Sequence, residues 1–305
     1  MEFIKYNGWD CVRLTNGMVE LIVTREIGPR ILRYGFVGGA NVFGEIIADR
    51  GGKFEKGWVN RGGHRLWIAP EASPWSYEPD NLAYAEVVAI AGGIQTRQNP
   101  GPITPVEKRM DIVLDSVTGG VRVNHHLTNR GDEPVRLAVW AISVMGVKGT
   151  VIVPLPKKVP HDPCLFPTQH WALWSYTDFA DPRWELGHDY LRLHQDPDIF
   201  SPQKVGLRHR EGWVAYQKDD LLFVDAFEHL DEATYPDDGV NFEAFTNSEF
   251  LELETLGPLV TLEPGESASF LECWMLFRGL KPCETEADIS LYIKPLAKSI
   301  SQKHI

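Results

Sequence analysis

Two acidic residues in one short β-type stretch are the first candidates for chemistry. Glu252 and Glu254 lie two positions apart in the run Leu251–Leu256. Because successive side chains of a strand point to opposite faces, we expect both carboxyl groups on one face, with Leu251 and Leu253 in the core. When two carboxyl groups lie close together, their pKa values separate. One group can then act as an acid and the other as a base in the same site. The other interpretation is a solvated strand face that carries ordinary exposed acids.

A glycine-rich stretch supplies the next candidates. His64 and Arg65 directly follow Gly62 and Gly63. Glycine lets the backbone come close to a ligand, imidazole can exchange a proton, and the guanidinium group presents several donors to hydroxyl or carboxylate oxygens. We therefore expect a ligand contact here, although a loop histidine that only stabilises a turn is the alternative.

Aromatic and acidic side chains follow closely along the chain. Trp67, Trp75 and Tyr77 are near Glu71. Flat aromatic rings suit ligands with apolar faces, but core packing explains any single ring equally well. Glu71 is either a third carboxyl group of the same site or an ion-pair partner of Arg65.

Strand-type segments must position these residues. They are rich in β-branched and aromatic residues and are separated by turn sequences. The predicted strands are Met18–Thr24, Ile31–Phe36, Tyr84–Ala91, Val106–Leu114, Val121–Thr128, Val135–Val144, Trp213–Gln217, Leu221–Phe227, Glu249–Thr255 and Ser267–Phe277. No alternation of helix and strand appears, so the pattern predicts an all-β fold of large antiparallel sheets, with residues 1–305 as one domain.

Two segments differ from this pattern. Pro154–Pro202 is rich in proline, tryptophan and histidine, and it is predicted to be a long ordered loop packed on the domain. Its histidines His161, His170 and His188 are candidates to reach the site. A helix is expected after Thr285, with Pro295 bending or ending it.

Charge and motifs limit the partners. The formal net charge of −12 disfavours nucleic acids and anionic membrane surfaces. The first ten residues have no apolar run, so a cytoplasmic location is expected. The four cysteines, Cys11, Cys164, Cys273 and Cys283, form no metal-binding or disulfide pattern and are expected to be buried thiols. No metal-binding motif is present, so neither a metal nor a cofactor is predicted.

Several motifs together resemble one superfamily. The stretch Ile27–Tyr34 resembles the early "P-x-x-G-G-R-I-x-x-Y" strand turn of aldose 1-epimerases, and Glu252–Pro258 followed by Leu262–Glu266 resembles their late strand pair with its "L-x-P-G-E" turn. The segments Gly62–Glu71 and Tyr235–Glu243 are similar to the narrower DUF4380 group of these proteins. The resemblance covers residues 18–277 and implies the galactose mutarotase-like β-supersandwich.

The resemblance also implies roles for residues. Mutarotation needs a base for the anomeric hydroxyl and an acid for the ring oxygen. Glu254 matches the base, with Glu252 beside it, and His64 matches a substrate-contacting histidine. The implied substrate contacts are Arg30, Arg65, Trp67, Glu71 and Trp140.

One position departs from the family pattern. Trp140 stands where the acid histidine is expected in the strand after Thr128-Asn129. Neither of the adjacent His125 and His126 is an obvious substitute, because one is expected to be packed and the other exposed. Lys204, Arg208 and the turn at Tyr235 to Asp238 are further candidates for the rim.

Three functions follow from these residues. The first is an aldose epimerase or mutarotase-like enzyme that uses glutamate acid–base chemistry on a small carbohydrate. The second is a glycoside hydrolase or lyase in which Glu71 pairs with Glu252 or Glu254. The third is a carbohydrate-binding protein without catalysis. The sequence does not indicate the sugar or the oligomeric state.

Overall fold

The computed structural model describes residues 1–53, 56–81, 86–162 and 165–304. Strands dominate the described chain, and their bounds are β1 (Glu2–Tyr6), β2 (Trp9–Thr15), β3 (Val19–Thr24), β4 (Arg30–Phe36), β5 (His64–Ala69), β6 (Glu86–Ile90), β7 (Gly93–Gln98), β8 (Val106–Leu114), β9 (Val121–Asn129), β10 (Val135–Met145), β11 (Thr150–Pro154), β12 (Trp171–Leu173), β13 (Trp184–Leu186), β14 (Tyr190–His194), β15 (Gln203–Leu207), β16 (Trp213–Lys218), β17 (Leu221–Phe227), β18 (Phe242–Thr246), β19 (Leu251–Leu256), β20 (Val260–Leu262) and β21 (Ser267–Phe277).

These strands form two antiparallel sheets. Among the described residues, the first sheet has eleven strands in the order β1-β2-β3-β4-β5-β10-β19-β18-β15-β12, with β20 paired to β10. The second has ten strands in the order β13-β14-β11-β16-β17-β21-β9-β8-β7-β6. The predicted all-β class with large antiparallel sheets is confirmed. The predicted strand Tyr84–Ala91 is present as β6, while Tyr84 and Ala85 lie outside the described residues.

The core fills the space between the sheets. Alternate residues of β5, β10 and β19 in the first sheet meet alternate residues of β9, β17 and β21 in the second. Leu66 and Leu253 on one side and Val123, Phe223 and Trp274 on the other are almost fully buried there. The side chains of β5, β10 and β19 that point the opposite way are therefore free to build a site on the outer face of the first sheet.

A helical segment closes the chain. It consists of an α-helical turn at Glu286–Asp288, a π-helical turn at Ile289–Ile293 and an α-helix at Lys294–His304. Thr285 and Asp288 form a capping box at its start, as the sequence predicts for Thr285. Ile289 and Ile293 pack on β16, β17 and β21. The segment does not end at Pro295, because proline is tolerated in a first helical turn and the wider π-turn precedes it.

The segment predicted to be a long loop contains short strands. The described parts of Pro154–Pro202 include β12, β13 and β14. Trp184 anchors the segment, since its Nε1 donates to Gln203 Oε1 at 2.9 Å. Two shorter helical turns, Ile47–Asp49 and Pro236–Gly239, occur elsewhere, and Asp237 and Asp238 in the second have positive φ angles.

The remaining sequence expectations concern thiols and membranes. Cys11, Cys273 and Cys283 are buried, whereas Cys164 lies outside the described residues. Within the described part of the chain, every helix is too short or too polar to cross a lipid bilayer.

Candidate functional site

A cavity of about 280 Å³ lies on the outer face of the first sheet. The strands β5, β10, β19, β18 and β15 are neighbours in that sheet, and each supplies lining or supporting residues. The lining residues are Trp58, Asn60, Arg65, Trp67, Glu71, Tyr77, Trp140, Ile142, Tyr176, Lys204, Phe245, Phe250, Glu252 and Glu254.

Strand register brings the key side chains together. Ile142 in the middle of β10 pairs with Arg65 on one side and with Glu254 on the other. Trp140, two residues earlier, pairs with Trp67. Because residues two apart share a face, these side chains all reach the same cavity.

Lys204 is the centre of a buried ionic cluster. Its Nζ lies 2.7 Å from Glu243 Oε2 and 3.0 Å from Glu254 Oε2. The ammonium group also lies over the rings of Trp140 and Trp174, 5.1 Å and 4.6 Å from their centroids. The cluster therefore holds Glu254 in a fixed position at the cavity wall, beside a cation that two indole faces also stabilise.

The cluster shifts the protonation of its members. Burial lowers the pKa of Lys204, but Glu254 and Glu243 outweigh it and raise the pKa well above 10.5. Burial, with the charges of Glu254 and Asp237, raises the pKa of Glu243 well above 4.5 in spite of Lys204. Glu243 is therefore the carboxyl group of this cluster that is suited to keep a proton.

Arg65 and Glu252 form a second ion pair at the cavity. Arg65 Nη1 lies 2.9 Å from Glu252 Oε1. The guanidinium group lies between the rings of Trp67 and Trp58, 4.7 Å and 5.2 Å from their centroids. Burial, together with the charge of Glu254, raises the pKa of Glu252, and Arg65 counteracts this rise. Glu252 is thus the carboxyl group in the cavity that is suited to keep a proton.

Glu71 lies at the rim of the cavity. It is exposed and accepts a hydrogen bond from the Tyr77 hydroxyl group. The ring of Tyr77 packs edge-to-face on Trp67, with 5.1 Å between centroids. Burial, together with the Glu71 contact, raises the pKa of Tyr77. The rim therefore combines a negative charge with an aromatic wall.

Two residues proposed from the sequence lie elsewhere. His64 pairs with Ser143 in β10 and points into the core, where its Nε2 lies 2.7 Å from His125 Nε2. Arg65 takes the cavity side instead, because adjacent residues of a strand face opposite ways. Arg30 is fully buried in an ion pair with Asp80 at 2.7 Å. The structure therefore brings neither His64 nor Arg30 into the cavity.

The histidine expected on β10 has no counterpart in the cavity. Trp140 occupies the position expected for that histidine, and its Nε1 donates a hydrogen bond to Glu254 Oε2 at 3.1 Å. His161 and His188 are strongly exposed on their segment, and His170 is also exposed. Among the described residues, no histidine lines the cavity.

Some site residues carry little signal in the sequence. Lys204 is central although the sequence suggested only a rim position, and Glu243 supports it from β18. Trp58 and Tyr176 line the cavity from irregular segments. The usable signal is a lysine next to the strand-type residues Val205 and Leu207, because a lysine that a strand buries needs carboxylate partners.

Several solved structures have a fold similar to that of this chain. A galactose mutarotase-like protein from Clostridium acetobutylicum has a TM-score of 0.58 at 11% identity, and the match covers 91% of this chain and 98% of the other. A galactose mutarotase-like protein from Lactobacillus casei ATCC 334 has a TM-score of 0.57 at 12% identity, covering 88% and 100%. A galactose mutarotase related enzyme from Lactobacillus acidophilus has a TM-score of 0.52 at 10% identity, covering 90% and 100%.

These likenesses establish the galactose mutarotase-like fold, as the motifs predict. No protein-family profile matches the chain, and no curated protein matches it. The narrower resemblance to the DUF4380 group stays a prediction. Since a fold of this kind carries several activities, the function must be argued from the cavity itself.

Proposed function

We propose that the cavity binds a monosaccharide and catalyses opening and closing of its hemiacetal ring, the reaction of an aldose 1-epimerase. The observation that carries the proposal is the fixed position of Glu254. Trp140 Nε1 and Lys204 Nζ both contact Oε2 of this carboxylate, at 3.1 and 3.0 Å. Its Oε1 is the oxygen that we assign to the substrate.

The walls and size of the cavity suit one sugar ring. Trp67 and Trp140 lie edge-to-face with 5.4 Å between centroids, which offers a ring face to the C–H groups of a sugar. Ligand cavities commonly measure ~300–1,000 Å³, and a volume of about 280 Å³ is just below the lower end of that range. This favours a monosaccharide over a longer chain.

The proposed chemistry uses two carboxyl groups. Glu254 takes the proton of the anomeric hydroxyl group, and the electron pair forms the carbonyl bond as the bond from C1 to the ring oxygen breaks. Glu252, whose pKa is raised by burial and by Glu254, gives its proton to the ring oxygen. After rotation about C1–C2, the reverse steps close the ring to the other anomer and restore both groups.

Exchange between anomers tests this proposal. Freshly dissolved α-glucose and α-galactose are followed by proton NMR with and without the protein. The proposal expects faster equilibration of at least one sugar in proportion to protein concentration. Binding of a sugar without faster exchange would instead support a carbohydrate-binding protein.

A glycoside hydrolase is the second candidate. Glu71 and Glu254 line the same cavity, as a pair of carboxyl groups around a glycosidic bond requires. Its test is the release of reducing sugar from aryl glycosides. Hydrolysis that is lost in Glu71→Gln, without anomer exchange in the wild type, would favour this function over the first.

A further inference from the structure

A group of polar side chains lies in the middle of the apolar core, on the face of the first sheet opposite to the cavity. His64 comes from the first sheet, and His125, Asp225 and Glu272 come from β9, β17 and β21 of the second. Each of the four is at most 1% exposed. Polar groups at this depth destabilise a fold unless other groups compensate them. These four groups therefore have to be compensated by hydrogen bonds, by ion pairs or by a bound ion.

The distances between the donor atoms fit a metal ion. His64 Nε2 and His125 Nε2 are 2.7 Å apart, and Glu272 Oε2 lies 3.8 Å from the first and 3.7 Å from the second. Tetrahedral zinc with bonds of ~2.0–2.2 Å keeps its ligand atoms about 3.3 Å apart. The distance between the two imidazole nitrogens is shorter than that value, and the two distances to Glu272 are longer. A slight movement of the two imidazole rings away from each other would therefore give the spacing of a zinc site.

These side chains are already oriented by contacts outside the proposed site. His125 Nδ1 lies 3.1 Å from the Phe270 carbonyl oxygen, which can only accept, so Nδ1 carries the proton and Nε2 has a lone pair. His64 Nδ1 lies 2.9 Å from Ser143 Oγ. Thr255 Oγ1 donates to Glu272 Oε1, and Trp274 Nε1 donates to Oε2 at 3.1 Å. Outer contacts of this kind orient the ligands in metal sites.

We propose that His64, His125 and Glu272 bind one divalent transition-metal ion of the zinc type. A second, independent observation is that Asp225 Oδ1 is buried without a hydrogen-bond partner among the described residues. Asp225 contacts Glu272, so the carboxylate of Glu272 as ligand and that of Asp225 beside it balance a charge of +2.

The role of this ion is structural. The ligands come from both sheets, so the ion cross-links the sandwich at its centre. The site also lies directly beneath the cavity, since His64 and Arg65 are adjacent in β5, and Glu272 contacts Thr255 beside Glu254 in β19. All three ligands are at most 1% exposed, so a substrate has no access to the ion and its role is to stabilise the fold. The sequence does not indicate this site, because 61 positions separate the two histidines.

A metal-free arrangement of the same residues makes a different prediction. In it, His64 Nε2 carries a proton and donates it to His125 Nε2, while Ser143 donates to His64 Nδ1. With a metal bound, both Nε2 atoms are bare and both Nδ1 atoms carry protons. The protonation of the His64 ring thus distinguishes the two states.

The experiment measures metal content and ring protonation of the full chain. Protein is produced in medium supplemented with Zn²⁺, dialysed and analysed by mass spectrometry of the elements. The variants His125→Gln and Glu272→Gln are compared with His126→Gln, whose ring faces away from the core and pairs with Asp111. Replacement of Zn²⁺ by Co²⁺ reports the geometry through its visible spectrum, and ¹H–¹⁵N NMR of the wild type reports which ring nitrogen carries each proton.

The expected result is about one equivalent of zinc in the wild type and in His126→Gln, with at least a tenfold loss in the other two variants. The visible spectrum of the cobalt form is expected to show the bands of a tetrahedral Co²⁺ site. The NMR spectrum of the wild type is expected to show His64 protonated at Nδ1. Wild-type protein without zinc after this growth, with His64 protonated at Nε2, would overturn the proposal. The NMR result decides even if a variant does not fold.

Discussion

The indole nitrogen of Trp140 donates a hydrogen bond to Glu254 Oε2 at 3.1 Å between the neighbouring strands β10 and β19. This contact occupies the place where the resemblance to aldose 1-epimerases implies an acid histidine. The site therefore keeps the glutamate and replaces the histidine by a donor that cannot release its proton in this pH range. A second carboxyl group must then supply the acid, which is the role that we assign to Glu252.

Replacing Trp140 by phenylalanine tests the value of this donor. Trp140→Phe keeps an aromatic wall and removes the N–H group that positions Glu254. A hydrogen bond to a charged group contributes ~1.5–3 kcal/mol, so we expect kcat for anomer exchange to fall about tenfold or more, with a smaller change in KM. A mainly altered KM would show that Trp140 serves as a sugar platform rather than as a positioning residue.

Lys204 is expected to be essential for stability. In Lys204→Met the carboxyl groups of Glu243 and Glu254 stay buried without their cation. Removing one partner of a buried ion pair destabilises a protein by about 3–5 kcal/mol. The free energy of unfolding, measured in urea at pH 8, should therefore fall by about that amount. The matched control is Lys157→Met at an exposed position, where a change within ~0.5 kcal/mol is expected. Equal losses in both variants would contradict the role of the cluster.

The pKa of Glu243 gives a prediction on pH. Since the folded-state pKa is raised well above 4.5, the stabilising contribution of this group is complete below the unfolded value of ~4.3. It is lost as the pH rises from there through the folded value, because the unfolded state has released the proton that the buried group still holds. Glu243→Gln should therefore gain stability relative to the wild type as the pH rises from 4.5 to 9.

Urea unfolding at several pH values measures this difference. Glu249→Gln, at an exposed position, is the control and should follow the wild type at every pH. A difference between Glu243→Gln and the wild type that stays constant over the range would contradict a raised pKa.

Much of the architecture could be predicted from the sequence, for a physical reason. The strand β19 shows the alternation of Leu251, Glu252, Leu253 and Glu254, and period-two alternation is a local property that fixes which side chains share a face. The structure places both glutamates on the cavity side and both leucines in the core.

The rest of the site depends on contacts between distant segments. The glycine-rich stretch before His64 does not indicate which way each side chain points, so the sequence predicts both His64 and Arg65 as ligand contacts, whereas the strand places only Arg65 in the cavity. Arg30 is predicted as a substrate contact from a motif, but its ion-pair partner Asp80 lies 50 positions away in the sequence. The partnership of Lys204 with Glu243 and Glu254 likewise appears only when β15, β18 and β19 pair.

Anomer exchange in Glu254→Gln tests the central claim most directly. The rate is measured by NMR on the best sugar substrate, with Glu249→Gln as the matched control and thermal unfolding as the check of the fold. General acid–base catalysis contributes ~10²–10⁴-fold to a rate. The acceleration of anomer exchange should therefore be at least about 10²-fold smaller in Glu254→Gln, while the control keeps the wild-type acceleration. A folded Glu254→Gln variant that exchanges anomers at the wild-type rate would contradict the account.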